Sequence, residues 1–279
     1  MTKRESDRYP EFSVLLSVYE KDNPHFLDQA LQSVENQTAI PAEIILVVDG
    51  PISKELQAVI KRHQAQFAGF KVVKLTQNHG LGTSLRLGTD FVTTDWIARM
   101  DSDDISVPDR FEQQLKWLNE HPNVMLLGGQ VSEFAQEPNN IIGHRRVPTD
   151  RKAIYQFAKW RSPFNHPTVM VNKDALKRVG GYVQYGNLED YYLWARFIAN
   201  GYDVANVDRT LVKMRVDTGM YNRRGRFSNI RYYRRLRKYL FQEQIVSRSE
   251  QMTGNFLMTL NIIIPNWLRE LIYQRILHK

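Results

Sequence analysis

An α/β fold built around a parallel sheet is predicted from three features of the 279-residue sequence. Short apolar, β-branched runs alternate with segments whose apolar residues recur at helical spacing. The runs are continuous rather than alternating, as in strands buried on both faces. They end in the polar residues Tyr19, Asp49, Asn78 and Asp101. In open α/β sheets, ligands gather beyond the carboxyl ends of the strands.

FSVLLSVYE (12–20) reads as the first buried strand. Pro24 opens a helix with Phe26, Leu27, Ala30, Leu31 and Val34 at helical spacing, and Pro41 breaks the chain after it. EIILVVDG (43–50) is a second strand, KELQAVIKRHQAQF a helix and FKVVKLTQ (70–77) a third strand. NHGLGTSLRLG (78–88) turns through glycines into a helix, and DWIARMD (95–101) is the fourth strand. Pro108 starts the helix PDRFEQQLKWLNEHP, with Asp109 in its first turn facing the positive end of the dipole.

Beyond that helix the parallel rhythm loosens. VMLLGGQVSEF and NIIGHRRVP read as strands, 151–159 as a helix and TVMVNK (168–173) as a short strand. The helix in DALKRVGGY stops at its glycine pair. NLEDYYLWARFIANGYD is an amphipathic helix with Leu188, Tyr191, Tyr192, Trp194, Ala195 and Ile198 as apolar members and Gly201 at C′.

Composition narrows the function. Hydrophobic residues at 42% support a core. Cysteine is absent, which excludes disulfides and thiolate metal sites and suits a reducing compartment. MTKRESDRYPEF lacks an apolar signal core, and no run of about 18 apolar residues exists. The expected location is therefore cytoplasmic, with no transmembrane helix. The net charge of +8 leaves nucleic acid, an anionic membrane or a phosphorylated substrate as partners.

Charge concentrates late in the chain. Between Arg209 and Lys238 there are eleven Lys/Arg and one carboxylate, Asp217, interleaved with Tyr221, Phe227, Tyr232, Tyr233 and Tyr239. Single-stranded nucleic acid and a membrane surface both select such a pattern. The apolar run that follows, with Trp267 and Tyr273, favours the membrane, while Asn255, Asn261, Pro265 and Asn266 interrupt it too often to span. A helical appendage packed on the main domain, or a dimer interface, is the plainer alternative. The expected division is a catalytic domain at 1–215 and a basic amphipathic helical extension at 216–279.

Asp101, Asp103 and Asp104 cluster at the end of the fourth strand. An Asp-x-Asp at a strand–loop transition suits Mg²⁺ or Mn²⁺, which take one or two protein carboxylates and fill the remaining positions with phosphate oxygens and water. A helix-capping acidic turn before Pro108 is the competing reading. Asp49 can accept from a base imide or a ribose hydroxyl, or serve as a turn residue in Asp-Gly-Pro. Asn78-His79-Gly80-Leu81-Gly82 suits close approach of a nucleotide, or a simple turn and cap. No G-x-G-x-x-G or Walker motif is present.

Taken in order, FSVLLSVYE, QSVENQT, EIILVVDG, NHGLGTSLRLG, ARMDSDDISVPDRFEQQ, NHPTVMV, GGY and NLEDYYLWAR resemble the family 2 glycosyltransferases of the GT-A fold over residues 11–215. The resemblance is greatest to bacterial members that build capsular, exopolysaccharide or O-antigen units. It implies an inverting transferase that uses a nucleotide-sugar donor, with UDP-hexose expected, together with Mn²⁺ or Mg²⁺ and a glycan or lipid-linked acceptor. It further implies a place on the inner face of the cell membrane and no nucleic-acid partner.

Carried over residue by residue, the resemblance assigns Tyr19, Asp49, Asn78 and Gly80 to the nucleotide, although Glu20 and Gly50 depart from the family's usual neighbours. Arg86 and Arg99 are assigned to the diphosphate or to surface and structural salt bridges. Asp101 is assigned to the ribose or the metal, Asp103 to the metal, and Asp104 to support or a helix cap. Asp190 is the expected general base, with Glu189 as fallback. His166 and Trp160 are expected on the acceptor side, His166 equally as a loop-holding residue. Lys213-Met214-Arg215-Val216-Asp217 stands where the family often has Arg-x-His, so Asp217 replaces a histidine. Two rival classes remain: a nucleotidyltransferase, disfavoured by the glycine-poor SVYEKDNPHF, and a nucleic-acid-binding protein, argued from charge alone.

Overall fold

The computed structural model describes residues 9–216 and 229–263. The first half alternates as expected: β1 (Phe12–Val18), α1 (Pro24–Glu35), β2 (Glu43–Asp49), α2 (Lys54–Gln66), β3 (Phe70–Leu75), α3 (Leu81–Thr89) and β4 (Trp96–Arg99). Then come β5 (Ile105–Ser106), α4 (Arg110–Glu120), β6 (Val124–Phe134), β7 (Ile141–Arg145), α5 (Arg151–Ala158) and a 3₁₀ turn at His166–Thr168. The described chain ends with β8 (Met170–Asn172), α6 (Lys173–Arg178), α7 (Glu189–Ala199), β9 (Asp203–Arg215), α8 (Asn229–Gln242) and α9 (Arg248–Ile263).

The spatial order is β3-β2-β1-β4-β8-β6-β9-β5, with β7 added to β6. β1 pairs in parallel with both β2 and β4. The chain therefore leaves β1 toward one side of the sheet and returns on the other. That reversal opens a crevice beyond the ends of β1 and β4, the ordinary place for a ligand in such sheets. Pleating divides the core. Phe12, Val14, Leu16 and Val18 share a cluster with residues of α1, α2 and α4. Leu15 belongs to the opposite cluster, with residues of α3, α5 and α7.

Helix α1 illustrates the local logic. The Asn23 side chain accepts from His25 N at 2.9 Å, and Pro24 occupies the first turn, where it costs no hydrogen bond. Leu27, Ala30, Leu31 and Val34 are fully buried. Each large aliphatic among them is worth about 1.5–3 kcal/mol.

Several expectations shift. Helix α4 begins at Arg110, so Pro108 lies outside it. Asp109 makes no side-chain cap and instead accepts from Gln113 Nε2 at 2.7 Å. Thr168 belongs to the 3₁₀ turn rather than to a strand. Strand β9 was not anticipated. Its register against β6 shifts near Gly129, Gln130 and Val131, which turns Asp208 and Arg209 outward and interrupts the alternation that marks a strand.

Helix α7 is buried nearly all round, with Leu193, Phe197 and even Arg196 inside, whereas Tyr192 stays half-exposed. The cause is α8. Leu236 and Leu240 of α8, with Val246 beyond it, close on Tyr185, Leu188, Tyr191 and Ala195. The first described helix of the basic extension thus packs on the main domain. Among the described residues no helix is long and apolar enough to cross a membrane.

On the outer face, His63 of α2 is buried between two carboxylates of α1. Its Nδ1 lies 2.9 Å from Glu35 and its Nε2 2.7 Å from Asp28. Burial opposes the charge, but hydrogen bonds to Glu35 and Asp28 outweigh it and raise the His63 pKa. A raised folded-state pKa means that the stabilisation is complete below the unfolded value of about 6.5 and is lost as pH rises through the folded value. We expect His63→Leu to lower stability by about 1–3 kcal/mol at pH 6 and by less at pH 9. Denaturant melts at both pH values check this; a gap that does not change with pH contradicts it.

Candidate active site

The acidic loop leaves β4 over a buried cationic floor. Arg99 is 1% exposed and its Nη2 lies 2.6 Å from Asp101 Oδ1. Beneath it, Arg110 Nη2 donates to Arg99 O at 2.8 Å and its Nε to Gln114 Oε1 at 3.1 Å. Gln114 Nε2 in turn donates to Thr168 O at 2.9 Å. The Arg and Gln of PDRFEQQ therefore brace the strand end against the 3₁₀ turn, a role that helix periodicity does not reveal. Burial, then the Arg99 charge, lowers the Arg110 pKa to about 9.

The loop's far side is held by residues distant in sequence. Asp104 Oδ1 accepts from Arg215 N at 2.9 Å. It cannot cap α4, which begins six residues later at Arg110. Arg215 Nε donates to Asp103 O at 3.2 Å and Nη2 to Gln29 Oε1 at 2.7 Å. Its guanidinium stacks 3.7 Å from the Phe26 ring centre and 4.5 Å from that of Phe134. Asp22, not singled out in the sequence, joins the two strand ends. Its Oδ2 accepts from Tyr19 N at 3.1 Å and from Ser102 Oγ at 3.0 Å.

Negative charge is crowded here. Asp103 is exposed on the loop, although the protein around it still draws water away from its carboxyl group. That partial desolvation, then the charges of Asp101 and Asp22, raise its pKa to about 7. Asp22 is raised to about 6, chiefly by burial and also by Asp101. Full burial, with Asp101 and Asp103 beside it, pushes Asp104 well up, and its Oδ2 has no hydrogen-bond partner. Among the described residues no group of three or more His, Asp or Glu forms a complete metal cage. Asp101 and Asp103 do fit a hard cation that draws its other oxygens from substrate and water. The excess negative charge is what such a cation relieves. Asp217 lies outside the described residues.

The β2 end forms the second wall. Asp49 is buried and accepts from His79 N at 2.7 Å and Gly80 N at 2.9 Å. Its first task is to fix the 78–80 turn, while Asn78 Nδ2 reaches Asp49 O at 3.4 Å. Gly50 has φ +89°, and a Cβ there would stand 2.8 Å from Asn78 N, so glycine is required. At the start of α3, Gly82 N donates to Gln184 Oε1 at 3.0 Å, and a Cβ on Gly80 would meet the same side chain. These glycines make room for the 183–184 segment. Tyr19 is partly exposed at the crevice, and Arg86 is exposed on α3.

The third wall is the start of α7. Arg196 donates to Val179 O and Gly181 O, both at 2.7 Å, tying the glycine pair to the helix. Glu189 is buried with Oε2 unpartnered, and burial, then Asp190, raises its pKa to about 7. Asp190 is more open, and its Oδ2 accepts from Ser162 Oγ at 3.3 Å. His166 Nε2 and the Tyr182 hydroxyl are 3.1 Å apart, and the Trp194 ring lies 5.8 Å away. Burial and the nearby Arg99 charge hold His166 well below its usual pKa, in the neutral form. Trp160 is exposed at the domain edge, with the Arg237 guanidinium 5.6 Å from its ring.

Arg99 links the walls. It contacts Asp101, and its charge acts on Asp103, Glu189, His166 and Tyr182. Its Nε and Nη1 are buried without partners. Acidic loop, 3₁₀ turn and helix start therefore converge on one site.

Known proteins agree with this architecture. Glycosyl transferase family 2 matches residues 13–180. An uncharacterized glycosyltransferase of Haemophilus influenzae is 39% identical over 96% of this chain and 100% of its own length. The amylovoran biosynthesis glycosyltransferase AmsE of Erwinia amylovora is 41% identical over 76% of this chain and 79% of its own. The Escherichia coli UDP-Gal:alpha-D-GlcNAc-diphosphoundecaprenol beta-1,3-galactosyltransferase is 34% identical over 98% and 99%.

Among solved structures, S. aureus TarS 1-349 in complex with UDP-GlcNAc superposes with TM-score 0.67 at 14% identity, over 90% of this chain and 72% of that one. The mannosyltransferase PcManGT from Pyrobaculum calidifontis, in complex with GDP-Man and Mn²⁺, gives 0.62 at 17% identity, over 94% and 72%. The fold is the GT-A type. The chain belongs to glycosyltransferase family 2 and is a glycosyltransferase; the nucleotidyltransferase and nucleic-acid-binding readings give way to that membership.

Arg215 offers a test of the loop's anchoring. Arg215→Ala is expected to cost more than about 1 kcal/mol of stability, since it strips hydrogen bonds and two aromatic contacts. It should also loosen the 101–104 loop. Thermal melts and amide exchange at Asp103 and Asp104 check this; unchanged exchange would show that the loop is held without it.

Proposed function

We propose that the protein transfers a hexose from a nucleotide-diphosphate donor, UDP-linked in the first instance, to a glycan or lipid-linked acceptor in the synthesis of bacterial surface polysaccharide, with inversion at the anomeric carbon. One observation carries the reading. A single buried guanidinium, Arg99, is ion-paired to Asp101 of the Asp-x-Asp loop, and its charge also acts on Glu189 at the start of α7. A diphosphate donor and a general base belong at those two places. The E. coli relative, whose name gives a UDP-Gal donor and a diphosphoundecaprenol acceptor, supports this choice of substrates.

Inversion by one displacement requires a stabilised leaving group, an acceptor hydroxyl that loses its proton, and in-line positioning. Asp103 and Asp101 would hold Mn²⁺ or Mg²⁺, which would supply positive charge to the departing diphosphate. The unpartnered N–H groups of Arg99 point to the same task, with Arg86 a further candidate from α3. Tyr19 would face the base, and Asp49, Asn78 and Gly80 would line the base and ribose. Asp49 reads the nucleotide through lone pairs left over from the turn.

Asp190 removes the acceptor proton. It is more accessible than Glu189, and its Ser162 contact aims it. Glu189, buried beside it, tunes the site and is the alternative base. His166, neutral, and Trp160 would flank the acceptor. The protein would work peripherally at the inner, anionic face of the cell membrane.

The test is turnover of UDP-sugars against lipid-diphosphate acceptors, with the anomeric configuration of the product read by NMR. We expect Asp190→Asn to lower kcat by about 10²–10⁴ while donor affinity stays within about twofold. Loss of donor binding in that variant, or retention of the donor's anomeric configuration, would overturn the assignment.

A further inference from the structure

We propose that the outward faces of α8 and α9 form a docking surface for an anionic lipid bilayer. This gives residues to the membrane part of the proposed function and is independent of the donor chemistry.

Helix α8 contains no Asp or Glu. Arg231, Arg234, Arg235 and Lys238 recur along it at helical spacing, and all are exposed. Its other side is occupied by Leu236 and Leu240, packed into the α7 cluster. Among the described residues, the cationic stripe faces away from that cluster and stays exposed. Helix α9 adds a face of the opposite chemistry. Met252 and Phe256 are each 66% exposed, and Leu257 and Leu260 are also open. Arg237 locks the two helices to the domain by donating to Glu250 O at 2.5 Å and to Lys159 O.

A cationic stripe beside exposed Phe, Met and Leu matches a membrane interface, where headgroups are negative and the acyl boundary is apolar. A second copy of the chain fits less well, because a twofold contact through α8 sets like charges against each other. Single-stranded nucleic acid would use the charge and leave the apolar stripe of α9 unexplained. The position suits the chemistry. Helix α8 packs directly on α7, and the 160–162 segment runs from Trp160, beside Arg237, to Ser162, which contacts Asp190. A bilayer on this face brings a lipid-linked acceptor close to the base.

The test is cosedimentation of the full chain with phosphatidylcholine vesicles, with and without phosphatidylglycerol. No donor or acceptor is present, so the result is separable from failure of the transferase reading. We expect binding only to the anionic vesicles, weakened by salt. The combined Arg231→Gln, Arg234→Gln, Arg235→Gln and Lys238→Gln variant should bind at least about tenfold more weakly. Met252→Ser with Phe256→Ser should weaken binding while keeping its salt dependence. Melting temperature and UDP affinity should match the wild type in both variants. Equal binding to neutral vesicles, undiminished binding by folded variants, or capture of single-stranded DNA instead of vesicles would each overturn the proposal.

Discussion

The site is governed by carboxylate repulsion at the crevice where the sheet reverses direction. Asp22 follows β1, and Asp101, Asp103 and Asp104 follow β4, the strand beside it. Each of Asp22, Asp103 and Asp104 has a pKa raised by burial and by its neighbours. Such crowding disfavours the folded chain unless fixed donors offset it. The donors are at hand: Arg99 on Asp101, the Arg215 amide on Asp104, and Tyr19 N with Ser102 Oγ on Asp22. What they leave without a direct ion pair is Asp103, exposed on the loop.

Much of the remaining architecture holds this arrangement in place. Arg110 and Gln114 fasten the end of β4 to the 3₁₀ turn carrying His166. Arg196 fastens the glycine pair to α7, and α8 presses on the far side of that helix. The acidic loop and the Glu189–Asp190 pair are thus set on separate, braced elements, which fixes their separation. Helix α8 shares a core with α7, which carries Glu189 and Asp190 at its start, so the two helices are mechanically joined.

The alternating first half was legible because β1, β2 and β4 are buried on both faces and each helix keeps one apolar stripe. The acidic cluster and the Glu189–Asp190 pair stood out because they sit at element ends. What was hidden is mostly long-range. Nothing near Arg215 in sequence indicates that it supports Asp103, 112 residues away. Asp22 was hidden too, because besides the local Tyr19 N its partner is Ser102 across the crevice. Strand β9 was masked by the register shift that exposes Asp208 and Arg209. For Gly80 and Gly82 the sequence offers room for a nucleotide or a simple turn and cap; part of their reason is the Gln184 side chain that closes over the start of α3.

The most direct measurement is calorimetric titration of UDP into the purified protein, with Mn²⁺ and then with EDTA, on wild type and Asp103→Ala. The account predicts binding that requires the metal and is lost in Asp103→Ala with the fold intact. Tight binding of UDP to Asp103→Ala, or binding indifferent to EDTA, would contradict it and leave the acidic loop as a braced turn without a cation.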